Sequence, residues 1–207
     1  MCRYIQQLIT QIPHVKFILP TAPTHPVTLH GGETMTSWYD IIGFQDKLDE
    51  PCHGIVESRD IIHNILKKEN ERSGIPFSRM VLAGHSQGGS LSLFTGLTLP
   101  ESQKLAGILN MSGYLASGKH KFHLTSGLED TPILHCHGTE DDVVLFEMAK
   151  RSKDLLSAAY GVQSYTIKSY PMAHTISEEE LLDALTFLRT VLPSSFETEH
   201  QVCSSTG

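Results

Sequence analysis

The chain has 207 residues, 40% hydrophobic and 19% charged, with 16 Lys+Arg against 23 Asp+Glu and a formal net charge of −7. That is enough chain for one packed domain, and too ordinary a composition for a mainly disordered protein. The acidic balance and the lack of any long Lys/Arg run argue against nucleic acid as a partner, because phosphate binding needs concentrated positive charge.

The first residues, Met-Cys-Arg-Tyr-Ile-Gln-Gln-Leu-Ile-Thr, lack the apolar core of a signal peptide, and no apolar run is long enough to span a bilayer. A soluble, cytoplasmic protein is expected. Cys2, Cys52, Cys136 and Cys203 are scattered with no Cys-x-x-Cys pair, so free thiols are expected rather than a disulfide framework or a cysteine zinc site. S-acylation of Cys2 is the alternative use of a terminal thiol.

In chain order, residues 4–10 read as a short helix and residues 15–19, Val-Lys-Phe-Ile-Leu stopped by Pro20, as a strand. A surface helix follows over 54–72, with Ile55, Ile61, Ile62, Ile65 and Leu66 near helical spacing. Strands are expected at 79–83, 105–109, 132–136 and 164–168, and helices at 90–99, 145–160 and 177–192. Ser177 with Glu180 fits a capping box at the start of the last helix. Residues 193–207 are polar and aperiodic and read as a flexible tail, leaving residues 1–192 as the domain. Alternation of strands with helices predicts an α/β fold with a mostly parallel sheet flanked by helices.

Gly84-His85-Ser86-Gln87-Gly88 lies directly after the apolar run 79–83 and directly before a helical stretch. A Gly-x-Ser-x-Gly pentapeptide in a strand–turn–helix setting is the nucleophile elbow of α/β-hydrolases, a sharp turn that lifts the serine hydroxyl above the sheet. Side chains two residues either side of the serine would clash in so sharp a turn, which accounts for glycine at 84 and 88. The helix that follows turns its positive end toward a developing oxyanion.

A serine hydroxyl is hardly ionised at neutral pH and needs a base. In this fold the base comes from a loop after the final strand, which selects His174; the later His200 lies in the tail with no element to hold it. The orienting carboxylate belongs in the loop after the strand near Cys136, where Glu140, Asp141 and Asp142 stand in a row. Spacing does not choose among the three. His135-Cys136-His137 with His120-x-x-His123 raises a metal site as an alternative, but without a third ligand no metal is expected. His30-Gly31-Gly32 is similar to the oxyanion loop of lipases, yet no strand precedes it and it reads as a surface turn.

These residues resemble the acyl-protein thioesterases and the carboxylesterases once described as lysophospholipases. The resemblance covers about residues 15–192. It rests on Pro20-Thr21-Ala22-Pro23 with Pro26-Val27-Thr28, Ser37-Trp38-Tyr39-Asp40-Ile41, Gly74-Ile75-Pro76, the elbow through Ser90, and Leu105-Ala106-Gly107. His137-Gly138-Thr139-Glu140-Asp141 with Val144 and Met172-Ala173-His174 complete it. It implies Ser86 as nucleophile, His174 as base and then acid, Asp141 as orienter, and the Gln87 backbone N–H as one oxyanion donor. Trp38 is placed near an apolar acyl channel, or else in the core. The substrates implied are S-acylated proteins or small acyl esters, with no cofactor and with room for transient contact with a membrane surface.

Family members open with a strand ending in a His-Gly-x-Gly-Asp loop that supplies the second oxyanion N–H, and this sequence starts after that point. An N-terminally shortened sheet is therefore expected, and loss of one oxyanion donor costs about 10²–10³ in rate. His85 stands where the family often has Phe, and Asp142 where it often has Pro. Two readings compete: an active thioesterase or esterase, and a shortened form that binds lipid or a partner while turning over weakly or not at all.

Overall fold

The computed structural model describes residues 2–43 and 47–194. From Ser195 on, the segment expected to be a tail lies outside the described residues, with His200 and Cys203. The elements run α1 (Cys2–Gln11), β1 (Thr24–Val27), β2 (Glu33–Thr36), α2 (Ile55–Ser73), β3 (Val81–His85), α3 (Gln87–Thr98), β4 (Gly107–Met111), β5 (Ile133–Gly138), α4 (Phe146–Tyr160), β6 (Tyr165–Tyr170) and α5 (Glu178–Val191). β3, β4, β5 and β6 form a parallel sheet in that order, and β1 and β2 form a separate antiparallel hairpin.

Because side chains alternate along a strand, successive residues feed two different cores. Ile108, Ile133 and Tyr165 point to one face and pack with α2, α3 and α4. Their neighbours Leu109, Met111, Leu134, Cys136 and Tyr170 point to the other, with Ala184 of α5. Leu8 and Ile12 extend that side by packing α1 on Leu185 and Leu188. A parallel sheet with helices on both faces is the α/β architecture expected.

Each expected strand of the sheet lies one or two residues further along the chain. The apolar runs stop early, whereas the ladders continue through His85, Asn110, His137, Gly138 and Tyr170. Those C-terminal ends carry buried polar residues that a hydrophobic pattern does not count. Residues 15–19, expected as a strand, are not one. Val15 and Phe17 are partly buried beside Val81 while Ile18 and Leu19 are exposed, so the alternation is real. Alternation reports burial of side chains, however, and not backbone pairing; Pro20 and Pro23 follow at once and have no N–H for a ladder.

α3 begins three residues before the expected helix, at Gln87. At α5, Ser177 Oγ accepts the Glu180 N–H at 3.1 Å, one half of the capping box. The other half is weak: neither oxygen of the buried Glu180 carboxylate makes a hydrogen bond of normal geometry, though the Ser177 N–H lies close enough to favour its charge. Burial, opposed in part by the Ser177 backbone N–H, pushes its carboxyl up to about 7. Among the described residues, Cys52 and Cys136 are free and buried, and no helix is long and apolar enough to cross a membrane.

Candidate active site

β3 runs into Ser86, whose φ of 56° is a left-handed conformation rare for a non-glycine residue. The turn is anchored by the Ser86 N–H, which donates to the Met111 carbonyl at the end of β4 (2.7 Å), and by the Ser90 N–H, which donates to Ser86 O (3.0 Å). A Cβ on Gly84 would lie 2.2 Å from the carbonyl carbon of Gly88, so position 84 admits only glycine. The symmetric expectation for Gly88 is wrong, since a Cβ there would meet nothing within 4 Å. The turn folds the backbone of residue 88 over residue 84, and it is Gly84 whose Cβ would point into the contact. The second tight position is Gly89, where a Cβ would lie 2.3 Å from Asn110 Oδ1.

β5 and β6 deliver two further side chains to the same end of the sheet. Ser86 Oγ donates to His174 Nε2 at 2.9 Å, and His174 Nδ1 donates to Asp141 Oδ2 at 2.7 Å. Asp141 alone of the three neighbouring acids points inward, with a fully buried side chain, while Glu140 and Asp142 are exposed. Its Oδ1 accepts the backbone N–H groups of Val143 (3.0 Å) and Val144 (2.8 Å), so the loop wraps around its own carboxylate. Gly138 lets this loop meet the one carrying His174: a Cβ at 138 would sit 2.2 Å from Met172 O and 2.7 Å from Ala173 O. The Thr139 and Glu140 N–H groups extend the junction by donating to Tyr170 O and Met172 O.

Around this line stand His85, Gln87 and Trp38, whose contacts with one another and with the triad sequence reasoning did not give. The His85 ring centroid is 4.9 Å from that of His174. Burial, aided by the charge of His174, holds the His85 imidazole down to about 4, so it stays neutral near pH 7. The Gln87 side chain donates to Ser37 Oγ and Tyr39 O, both at 2.8 Å, and accepts the Trp38 N–H at 2.9 Å. Half-buried Trp38 is thus tied by its backbone to the elbow, and its ring packs at the edge of the larger core. The Gln87 N–H is the first of α3 and precedes the first intrahelical bond, where helices leave donors unused. No spacing signal links residues 37–39 to 87; only the fold does.

The expected decoys separate. His135 and His137 are fully buried on one face of β5, whereas His120 and His123 are exposed, and His120 Nε2 donates to Asp49 O. His30, Gly31 and Gly32 close the β1–β2 hairpin as a left-handed turn, as the surface-turn reading expects.

Comparison with known proteins places the chain in a family. The sequence profile described as Phospholipase/Carboxylesterase matches residues 3–192. The chain belongs to the phospholipase/carboxylesterase family. It is 37% identical to acyl-protein thioesterase 1 of Emericella nidulans over 191 residues, 87% of this chain and 78% of that protein. It is 38% identical to acyl-protein thioesterase 1 homolog 1 of Dictyostelium discoideum, over 87% of this chain and 78% of that one. Among solved structures, SOBER1 of Arabidopsis thaliana superposes with a TM-score of 0.79 at 29% identity, covering 90% of this chain and 91% of its own. Acyl-protein thioesterase 2 of Zea mays does so with 0.74 at 26% identity, covering 92% and 88%. The family member described here has the α/β-hydrolase fold and is a hydrolase.

Proposed function

We propose that residues 1–192 form a cytoplasmic serine hydrolase that removes fatty acyl groups from protein cysteines and from small esters. The observation that carries this reading is the hydrogen-bonded line Ser86–His174–Asp141, drawn from three separate strand ends. The names of its relatives support the substrate class. Val143 and Leu145, apolar and exposed close to Asp141 in the chain, support an acyl chain rather than a polar substrate, and would suit brief contact with a lipid surface.

In this reading Ser86 Oγ attacks the acyl carbonyl as its proton passes to His174 Nε2, with the Gln87 N–H donating to the oxyanion. Collapse of the tetrahedral intermediate breaks the C–S or C–O bond, and His174 returns the proton to the leaving thiolate or alkoxide. Water then repeats the sequence on the acyl-enzyme. Asp141 keeps the proton on His174 Nδ1, which leaves Nε2 bare toward the serine, and it stabilises the imidazolium. Trp38 flanks the acyl group.

A fluorophosphonate probe should label the protein at Ser86, and an S-palmitoylated peptide should release palmitate. Ser86→Ala should abolish labelling and lower turnover by more than about 10³-fold. Unchanged release of palmitate by Ser86→Ala, or no labelling of folded wild-type protein, would overturn the assignment.

A further inference from the structure

Behind Asp141 runs a second line of hydrogen bonds that the reaction as written does not use. His137 Nε2 is 2.7 Å from the Val144 carbonyl and 3.3 Å from Asp141 Oδ2. His137 Nδ1 is 3.2 Å from His135 Nε2, and His135 Nδ1 is 2.7 Å from the Tyr165 hydroxyl. Neither histidine is exposed at all, and burial holds both imidazoles below their ordinary pKa.

The chemistry of the partners gives this line a direction. A carbonyl and a carboxylate only accept, so the His137 proton sits on Nε2 and is shared between Val144 O and Asp141 Oδ2. In a neutral ring Nδ1 is then bare, and His135 Nε2 must donate to it. His135 Nδ1 is bare in turn and takes the Tyr165 O–H. The donors of this line then point the same way, from Tyr165 through His135 and His137 toward Asp141, with the Gly113 backbone as a further acceptor beside His135, and aligned hydrogen bonds in a dry interior polarise one another. His137 also closes the acid loop: it holds the carbonyl of Val144, the residue whose N–H donates to Asp141 Oδ1.

Resting on the triad reading above, we propose that Tyr165, His135 and His137 form a buried positioning line that acts through Asp141, fixing its Oδ2 as the acceptor of the His174 Nδ1 proton. His137 is the member in contact with the carboxylate. His135 fixes the His137 tautomer, and Tyr165 fixes that of His135. β5 supplies the two histidines on one face because they are two residues apart, and β6 brings Tyr165 alongside through the pairing of Ile133 with Tyr165. Groups that orient a ligand from behind are worth about 10–100-fold at metal centres, and a similar loss is expected here.

The test compares kcat and KM for a p-nitrophenyl acyl ester, and the rate of fluorophosphonate labelling, in wild type, His137→Leu, His137→Gln, Tyr165→Phe and Ser86→Ala. His137→Leu should lower kcat by about 10–100-fold with KM within about twofold, because the substrate does not touch it. His137→Gln, which can return an N–H to Val144 O and Asp141, should recover much of the loss. Tyr165→Phe keeps every His137 contact and changes only the far end, yet should lower kcat by about two- to fivefold at unchanged KM. If His137→Leu does not fold, Tyr165→Phe decides. Wild-type kcat in folded Tyr165→Phe, or losses in which KM rises as much as kcat falls, overturns the positioning line while leaving the triad standing. Full turnover by Ser86→Ala overturns both.

Discussion

The Gln87 side chain holds the Trp38 backbone, accepting its N–H at 2.9 Å while donating to Ser37 Oγ and Tyr39 O on either side. One amide thus satisfies three backbone or hydroxyl groups of a segment with no strand or helix of its own. The same segment is pinned from beyond by the Tyr39 hydroxyl, which donates to the Tyr114 hydroxyl at 3.1 Å.

Replacing Gln87 with Ala takes the partner from the Trp38 N–H, while Ser37 Oγ still donates to Tyr39 O at 2.7 Å, and should lower stability by about 1–3 kcal/mol, read in chemical denaturation. Because the residue after Ser86 keeps its backbone N–H, kcat should fall less than KM rises, and the rise should grow with acyl-chain length if Trp38 flanks the chain. A uniform loss of kcat across chain lengths would place Trp38 away from the substrate.

Two glycines of the elbow should behave differently. Gly84→Ala puts a Cβ 2.2 Å from backbone that cannot move away, so soluble protein should lose fluorophosphonate labelling. Gly88→Ala meets open space within a helix, where alanine is favoured over glycine by about 1 kcal/mol. Its melting temperature should be unchanged or higher.

His85 and Glu180 should tilt stability in opposite directions over overlapping pH windows below neutrality. His85 has a folded-state pKa of about 4 against an ordinary 6.5, so between these values the unfolded chain binds more protons and stability falls as pH drops. His85→Phe removes the titration, keeps a ring beside His174, and should lessen acid destabilisation by on the order of 1–2 kcal/mol at pH 4.5.

Glu180 works in reverse. Its folded-state pKa of about 7 exceeds the ordinary 4.5, so the native protein holds the extra proton and stability falls as pH rises through this window. Glu180→Gln should flatten that fall, which melting curves of the variant and wild type from pH 4.5 to 8 would show. Parallel curves would mean that the carboxylate finds a partner in solution.

The order of elements and the meeting of Ser86 with His174 were legible because each rests on a local signal: an apolar run, a turn with glycine, a histidine between the last strand and helix. Asp141 was not separable from Glu140 and Asp142 by spacing; resemblance singled it out, and the two loop N–H groups on Oδ1 are the physical reason that it is the one turned inward. His135 and His137 read as decoy metal ligands because a strand pattern puts them on one face without saying what fills the space between. Residues 15–19 misled for a related reason, since burial alternates along a segment that never pairs. Contacts such as Gln87 with Trp38 join positions 49 apart, beyond any period.

The sites of Ser86 and His174 lie 88 residues apart in the chain, and they meet only when β3, β4, β5 and β6 have all found their neighbours. Parallel pairing across long crossovers is slow to form. Until it is complete, Ser86 is held neither at its φ of 56° nor within reach of a base, and its hydroxyl is as unreactive as that of any other serine. On the role proposed for Ser86, covalent labelling is a clock for the final stage of folding: during refolding from denaturant, reactivity should emerge after helical structure has returned.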